Sequence, residues 1–349
     1  MKIFVLNLGS TSFKFKLFDF TAGEQALASG GVESIGSAAG AYQIKFPDGE
    51  ESGECTCAVH SEAMDLCLGK LVERKVIRSI GDVDAVGYKA VHGGRITGAR
   101  FVDDELMGVM EDFSSFVPAH NPVYISTMRA LRDKYPKLKQ VAYFETSFHA
   151  TMPEYRAVYG VPYQWYRDYG IRRYGFHGSS HSYIAWKLHQ LEPAAGRVIS
   201  IHLGGSSSLC AIKDQVSIAE SMGATTQSGL FHNNRVGDLD VFCLPDLIKR
   251  YDGDVDEVFR QLSTNGGFKG ISGVSNDLRK VLAARKDGNK RAALAVDAFV
   301  DTIVGYVGMF TSYLGGLDSI VFTGGIGQHS GVIREMVCDK LDWLSLYLD

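Results

Sequence analysis

The opening residues set a pattern that the chain later repeats. Ile3 to Leu6 form a short apolar run, Asn7-Leu8-Gly9-Ser10-Thr11-Ser12 is small and polar, and Phe13, Phe15 and Leu17 then alternate with Lys14 and Lys16. A buried strand, a turn and a strand of period two predict a hairpin. Residues 198–213 repeat the plan: Val198-Ile199-Ser200-Ile201, the turn His202-Leu203-Gly204-Gly205-Ser206-Ser207-Ser208, and Leu209-Cys210-Ala211-Ile212. An echo half a chain apart predicts two related domains facing one another, set at 1–150 and 151–349. Apolar residues at helical spacing predict helices at 122–134, with Pro122 in its first turn, at 180–191 and at 241–251. Residues 289–314 read as one long helix, apolar on most sides and expected to be largely buried. Ser319 to Phe322 is a strand, Thr323-Gly324-Gly325-Ile326-Gly327 a turn, and a helix follows from about Gly331 to Leu341. Strands alternating with helices give an α/β architecture.

Composition narrows the field. A chain of 349 residues, 45% apolar and 22% charged, fits two globular domains. A formal net charge of −4, with no Lys/Arg block, argues against a nucleic-acid partner. The N-terminal apolar run is too short for a signal peptide, and no stretch approaches the ~20 apolar residues that span a bilayer, so no membrane partner is expected. Six scattered cysteines point to a reducing cytoplasm. Cys55 and Cys57 form a C-x-C pair without further ligands nearby in sequence.

Turns rich in Gly and Ser/Thr let backbone N–H groups approach an anion. Asn7 to Ser12 and His202 to Ser208 both qualify, although plain hairpin turns look the same. Neither is a P-loop or a complete dinucleotide fingerprint, which leaves a dehydrogenase without its motif. The Gly324 to Gly327 turn suits a nucleotide packed on backbone, and equally a tight connection with no ligand. Three histidine contexts carry small residues: Val91-His92-Gly93-Gly94, Ala119-His120-Asn121-Pro122 and Phe176-His177-Gly178-Ser179-Ser180-His181. His177 and His181 stand four apart, but the glutamate of a zinc helix is missing. With Lys89 and Arg235 these histidines suit a site that handles negative charge. Glu145, after an apolar strand and before Thr146-Ser147, reads either as a group that orients a substrate or as a helix N-terminal carboxylate.

Taken in order, these motifs resemble the acetate kinase family. Asn7 to Lys14 is similar to its N-A-G-S-S-S-L-K, Val91 to Gly94 to V-H-G-G, and Pro118 to Pro122 to P-L-H-N-P. Residues 171–181, IRRYGFHGSSH, are nearly its I-R-R-Y-G-F-H-G-T-S-H, and GISGVSNDLR (270–279) and FTGGIG (322–327) follow in place. The resemblance implies two duplicated ribonuclease H-like domains of the actin, sugar kinase and Hsp70 superfamily with an interdomain cleft. It implies reversible phosphoryl transfer between ATP/ADP and a short-chain carboxylate (acetate or propionate) or its acyl phosphate, with Mg2+, in a homodimer. Carried over by position, His177 and Arg235 stabilise the transferring group, His120 and Glu145 complete the catalytic set, and Asn7 is near the metal. Ser10, Ser12, Lys14, His202 and Gly204 to Ser208 (Gly205, Ser206 and Ser207 among them) hold phosphates. Asp277, Leu278, Arg279, Gly325, Ile326 and Gly327 hold the nucleoside, while Lys89, Val91, Ala119, Phe176 and Thr226 bind the acid.

The chain departs from that pattern at several positions. Lys89 stands for the family's arginine, and Glu145 for its aspartate. Gly205 replaces an asparagine, Ser206 a glycine, and the family's G-T-R-S-G-D-I-D is Asn233-Asn234-Arg235-Val236-Gly237-Asp238-Leu239-Asp240. Ala119 replaces a leucine and Thr226 a proline, an exchange expected to favour an acid longer or more polar than acetate, such as propionate. The chain stops at Asp349, several dozen residues before the family normally ends, so a magnesium-holding glutamate is expected to be missing or replaced, with Glu145 a candidate. The alternative reading is a catalytically weakened or inactive nucleotide-binding homologue with a regulatory role.

Overall fold

The computed structural model describes residues 1–344 and divides into two units, Met1–Ser147 and Phe148–Asp349. The first unit is built on strands β1 (Lys2–Leu8), β2 (Ser12–Asp19), β3 (Gln25–Glu33), β4 (Gly40–Phe46), β5 (Gly49–Cys55), β6 (Ala85–Ala90), β7 (Ala99–Phe101) and β8 (Lys139–Phe144). They form one sheet in the order β5-β4-β3-β2-β1-β6-β8-β7. The hairpin read from the N-terminus is β1–β2, antiparallel with Asn7 opposite Lys14, while β6 lies parallel to β1 and to β8. Phe4, Leu6, Leu8, Phe13, Phe15 and Leu17 are buried on its inner face, as strict alternation requires. Helices α1 (His60–Glu73), α2 (Asp104–Asp112) and α3 (Asn121–Lys134) complete this unit.

The second unit carries β9 (Arg197–Leu203), β10 (Ser207–Lys213), β11 (Val216–Glu220) and β12 (Ser319–Thr323) in the order β11-β10-β9-β12. Its plan matches β3-β2-β1-β6: a central strand, an antiparallel hairpin, a third strand, and a parallel neighbour reached through helices. The duplication legible in the two Gly/Ser turns is therefore one of topology. The helices are α4 (Glu154–Ala157), α5 (Tyr163–Asp168), α6 (Gly178–Leu191), α7 (Leu244–Arg250), α8 (Val255–Thr264), α9 (Gly267–Ser272), α10 (Leu278–Lys286), α11 (Lys290–Leu314), α12 (Gly324–His329) and α13 (Gly331–Asp339).

Three expectations are corrected in detail. The helix read at 241–251 starts only at Leu244, because Pro245 fits a first turn and not a helix interior. The residues read as a turn, Gly324 to Gly327, are already the start of helix α12, with the chain redirected at Gly324 (φ +76°). The long helix α11 is not buried all round. Ala292, Ala295, Val296, Phe299, Val300, Ile303, Val307, Phe310 and Leu314 form one buried stripe at spacings of three and four, while Leu294 is 60% exposed on the other side. By length and composition α11 is also the one helix, among the described residues, apolar enough to cross a membrane; its stripe instead forms the core of this unit with Ile199, Ile201, Leu203, Phe268 and Ile333.

Phe299 is central to that core, with its ring 4.8 Å from Phe268 and 5.4 Å from Phe231. Phe299→Ala is expected to lower stability by about 3–5 kcal/mol in urea unfolding, and Leu294→Ala by less than about 0.5 kcal/mol. Equal losses would refute the one-sided packing of α11.

Candidate active site

In the first unit the site begins where β1 ends. Gly9 donates its N–H to Ser12 O at 2.8 Å, and a Cβ on Gly9 would lie 2.5 Å from Ser12 Oγ, so a larger residue there would displace that hydroxyl. His60 on α1 donates Nε2–H to Gly9 O at 2.8 Å. Asn7, Ser10 and Lys14 are exposed and Ser12 half-buried; Lys14 pairs loosely with Glu33 at 3.4 Å, both well exposed. Tyr124, buried on α3, accepts the Leu8 N–H at 3.0 Å and donates to Lys89 O at 2.5 Å. One phenol thus ties the end of β1 to β6.

Lys89 and Glu145 leave the ends of neighbouring parallel strands. Glu145 follows β8, is 4% exposed, and its N–H donates to Ala90 O at 2.9 Å. Its Oε1 lies 3.4 Å from Lys89 Nζ. The two substituted positions are partners: a shorter cation faces a longer carboxylate. Val91 is buried just after β6, and Ala119 is exposed in the turn before α3. His120 is the N-cap of α3. His92 serves the turn itself: Gly94 N–H donates to its Nδ1 at 3.0 Å, and its ring stacks on Phe113 at 4.7 Å. Gly93 is required by contact, since a Cβ there would meet the Phe144 ring at 2.7 Å.

In the second unit His177, His181 and His202 form one network, with His181 at its buried centre and the other two half-buried. His177 caps α6 in the left-handed region (φ +54°), a conformation that costs a non-glycine residue energy. Its Nδ1 is 2.8 Å from Ser208 Oγ, and its ring stacks on His202 at 4.2 Å. Ser208 Oγ is also 2.8 Å from His181 Nε2, whose Nδ1 meets Ser200 Oγ at 2.8 Å. Both nitrogens of His181 are therefore engaged by serines on β9 and β10. His202 Nδ1 lies 2.9 Å from Ser180 Oγ. Phe176 is buried beside this cluster, and its carbonyl accepts Nε2–H of His149 at 2.8 Å. Arg235 donates to Thr226 O at 2.8 Å.

A cleft of about 870 Å³ opens at the ends of β9 and β12. Of the positions expected to hold a nucleotide, Gly204, Gly205, Asp277, Leu278, Arg279, Gly325 and Ile326 line it. Asn233, Asn276, Leu282, His329 and Ser330 line it too, and sequence reasoning passed over them. Asp277 caps α10, and its carboxylate is held by Arg279 at 2.6 Å and drawn down to about 2. Gly324 is close-packed: a Cβ there would meet Leu203 O at 2.5 Å. Ser206 and His202 support the turn without lining the cleft, as does Gly327. Ser207 and Ser208 turn their hydroxyls wholly inward, and Ser207 N–H donates to His232 Nδ1 at 2.9 Å. His232 and Tyr124 are the supporting residues that local sequence did not single out; their partners lie far along the chain.

Burial pushes His149 down to about 4 and His232 to about 3, and takes His181 well below its ordinary value. Unfolded, all three rings take protons near pH 6.5. Between about pH 4 and 6.5 the unfolded chain then binds more protons, so this stability is complete above pH 6.5 and is lost as pH falls. Buried Glu220, whose carboxyl desolvation raises well above the usual carboxylate range, opposes them in part. The remaining excess on the unfolded chain predicts stability that falls as pH falls through this range, by about 1.4 kcal/mol per pH unit for each proton of excess. The urea midpoint at pH 5 is expected well below that at pH 6.5; an unchanged midpoint would refute neutral buried rings.

Comparison with known proteins matches this construction. The sequence model of the Acetokinase family matches residues 2–349. The acetate kinases of Bacillus velezensis and Bacillus subtilis are each 38% identical over 353 residues, covering 100% of this chain and 89% of theirs. The crystal structure of Porphyromonas gingivalis acetate kinase is similar with a TM-score of 0.88 at 34% identity, covering 100% of this chain and 89% of that one. A propionate kinase from Francisella tularensis gives 0.92 at 31% identity, covering 98% and 88%. With the match running through both units in sequence and in fold, the chain belongs to the Acetokinase family.

Proposed function

We propose that this protein is an ATP-dependent carboxylate kinase that phosphorylates acetate or propionate reversibly to the acyl phosphate. Family membership carries the reaction class, and the observation that carries the site is the cleft between Gly204-Gly205 and Gly325-Ile326, which is large enough for a nucleotide. In this reading a carboxylate oxygen of the acid forms the new bond to the γ-phosphorus while the bond to the ADP oxygen breaks. The transition state is loose and spreads negative charge over the equatorial oxygens, so positive charge and aligned donors matter most. His177 meets that charge through its Nε2 edge, because Ser208 engages Nδ1. Arg235 adds a guanidinium steadied by Thr226 O. His120 and Glu145 complete the catalytic set. Ser10, Ser12 and Lys14 contact phosphates, and Val91, Ala119, Phe176 and Thr226 line the acid pocket.

Magnesium suits this donor set. Mg2+ prefers oxygen ligands and commonly binds through one or two carboxylates together with substrate phosphates. Asn7 and Glu145 supply such oxygens, and among the described residues no group of three or more His, Cys, Asp or Glu competes as a metal cage. When bound, the ion would neutralise phosphate charge. In this reading the protein is a homodimer, as the family resemblance implies, and Tyr155, Tyr163, Trp165, Tyr169 and Phe242 are exposed apolar surface in the second unit. A cytoplasmic setting agrees with six cysteines held as free thiols.

Trapping of acyl phosphate by hydroxylamine, with ATP and magnesium, is expected to give product with acetate and at least as much with propionate. His177→Ala and Arg235→Ala are each expected to lower kcat by about 100-fold or more. Nucleotide binding without any hydroxamate would favour the inactive homologue. The Lys89–Glu145 pair makes its own prediction: Lys89→Arg and Glu145→Asp each lower activity by about tenfold or more through mismatched reach, and the double variant recovers. Additive losses would refute the pairing.

A further inference from the structure

The family pattern has asparagine where this chain has Gly205, and glycine where it has Asn233. These two departures meet in space. Asn233 N–H donates to Gly205 O at 3.3 Å, so the loops that carry them run side by side. The neighbouring Ser207 N–H to His232 Nδ1 bond fixes their register. A Cβ placed on Gly205 would first meet Asn233 Nδ2, at 3.6 Å. A Cβ at 205 would thus stand in ordinary contact with the Asn233 carboxamide, and a longer side chain on that side would meet it. Gly205 does not have a positive φ, so its backbone makes no demand for glycine. Both residues line the same cleft. The donor end of the Asn233 carboxamide, Nδ2, is the atom nearest the side-chain direction of Gly205.

We propose that the carboxamide has moved from one loop to the other: Asn233 contacts the phosphate chain of a bound nucleoside di- or triphosphate, and position 205 is glycine to leave it room. The brace between the loops is made by backbone and by His232, which leaves the Asn233 Nδ2 as the group that donates to a phosphate oxygen. The inference rests on the kinase reading and sharpens it by naming a nucleotide-binding residue outside the Gly/Ser turn. It also makes the exchange at Gly205 a compensated one.

The test is calorimetric titration of ADP, ATP and adenosine, with magnesium, into the wild type, Asn233→Gly, Gly205→Asn and the double variant. Asn233→Gly is expected to weaken ADP and ATP roughly 10-fold, the size of one hydrogen bond to a charged group, and to leave adenosine within about twofold. Gly205→Asn weakens both nucleotides because two side chains compete for one space. The double variant returns to within about threefold of the wild type. Unchanged ADP affinity in Asn233→Gly, an equal loss for adenosine, or a double variant as weak as the product of the singles would overturn the proposal. Failure of the wild type to bind either nucleotide would overturn the kinase reading with it, and that result precedes any variant.

Discussion

The parallel pairing of β9 with β12 is the constraint on which the nucleotide cleft depends. His202 stands opposite Thr323 at the end of the ladder, so the loops that leave both strands emerge together. Ligands of open α/β sheets gather at such carboxyl ends, where backbone donors are exposed and side chains are few. Gly324 turns away against Leu203 O and sends the chain into α12, while Gly204 and Gly205 turn the other way into β10. The cleft is what remains between them. The buried stripe of α11 packs beneath this sheet, so the hydrophobic core and the binding loops share one support.

Behind the loops lies a layer of polar side chains held without charge. His181, Ser200 and Ser208 are fully buried, and the histidine keeps its low basicity because the surroundings do not solvate a cation. This layer holds the ring of His177 through Ser208. A fixed imidazole needs no reorganisation when negative charge develops beside it.

How much of this was legible in the sequence depends on the distance over which each interaction acts. The two hairpins declared themselves through alternation and small turn residues, and α3 and α6 through apolar spacing and their first turns. Strands β3 to β5 did not, since runs such as GGVE and GEESGEC have weak β-propensity and gain their pairing from the adjacent ladder. The motif residues were found because they are contiguous. Their supports were not: Tyr124 reaches Leu8 across 116 residues and His149 reaches Ser217 across 68. The departures stand apart along the chain, whereas the structure joins them as Lys89 with Glu145 and Gly205 with Asn233. A substitution that looks damaging alone reads differently beside its partner.

The left-handed backbone at His177 limits what inheritance can place there. A branched side chain is sterically disfavoured at φ +54°, and among polar residues asparagine and aspartate tolerate that geometry best. Aspartate would bring the wrong charge to an anionic reactant. The descendants of this chain therefore have a narrow set of choices at this point: the main chain, by its own handedness, screens out branched side chains and leaves the imidazole among the few polar groups it admits.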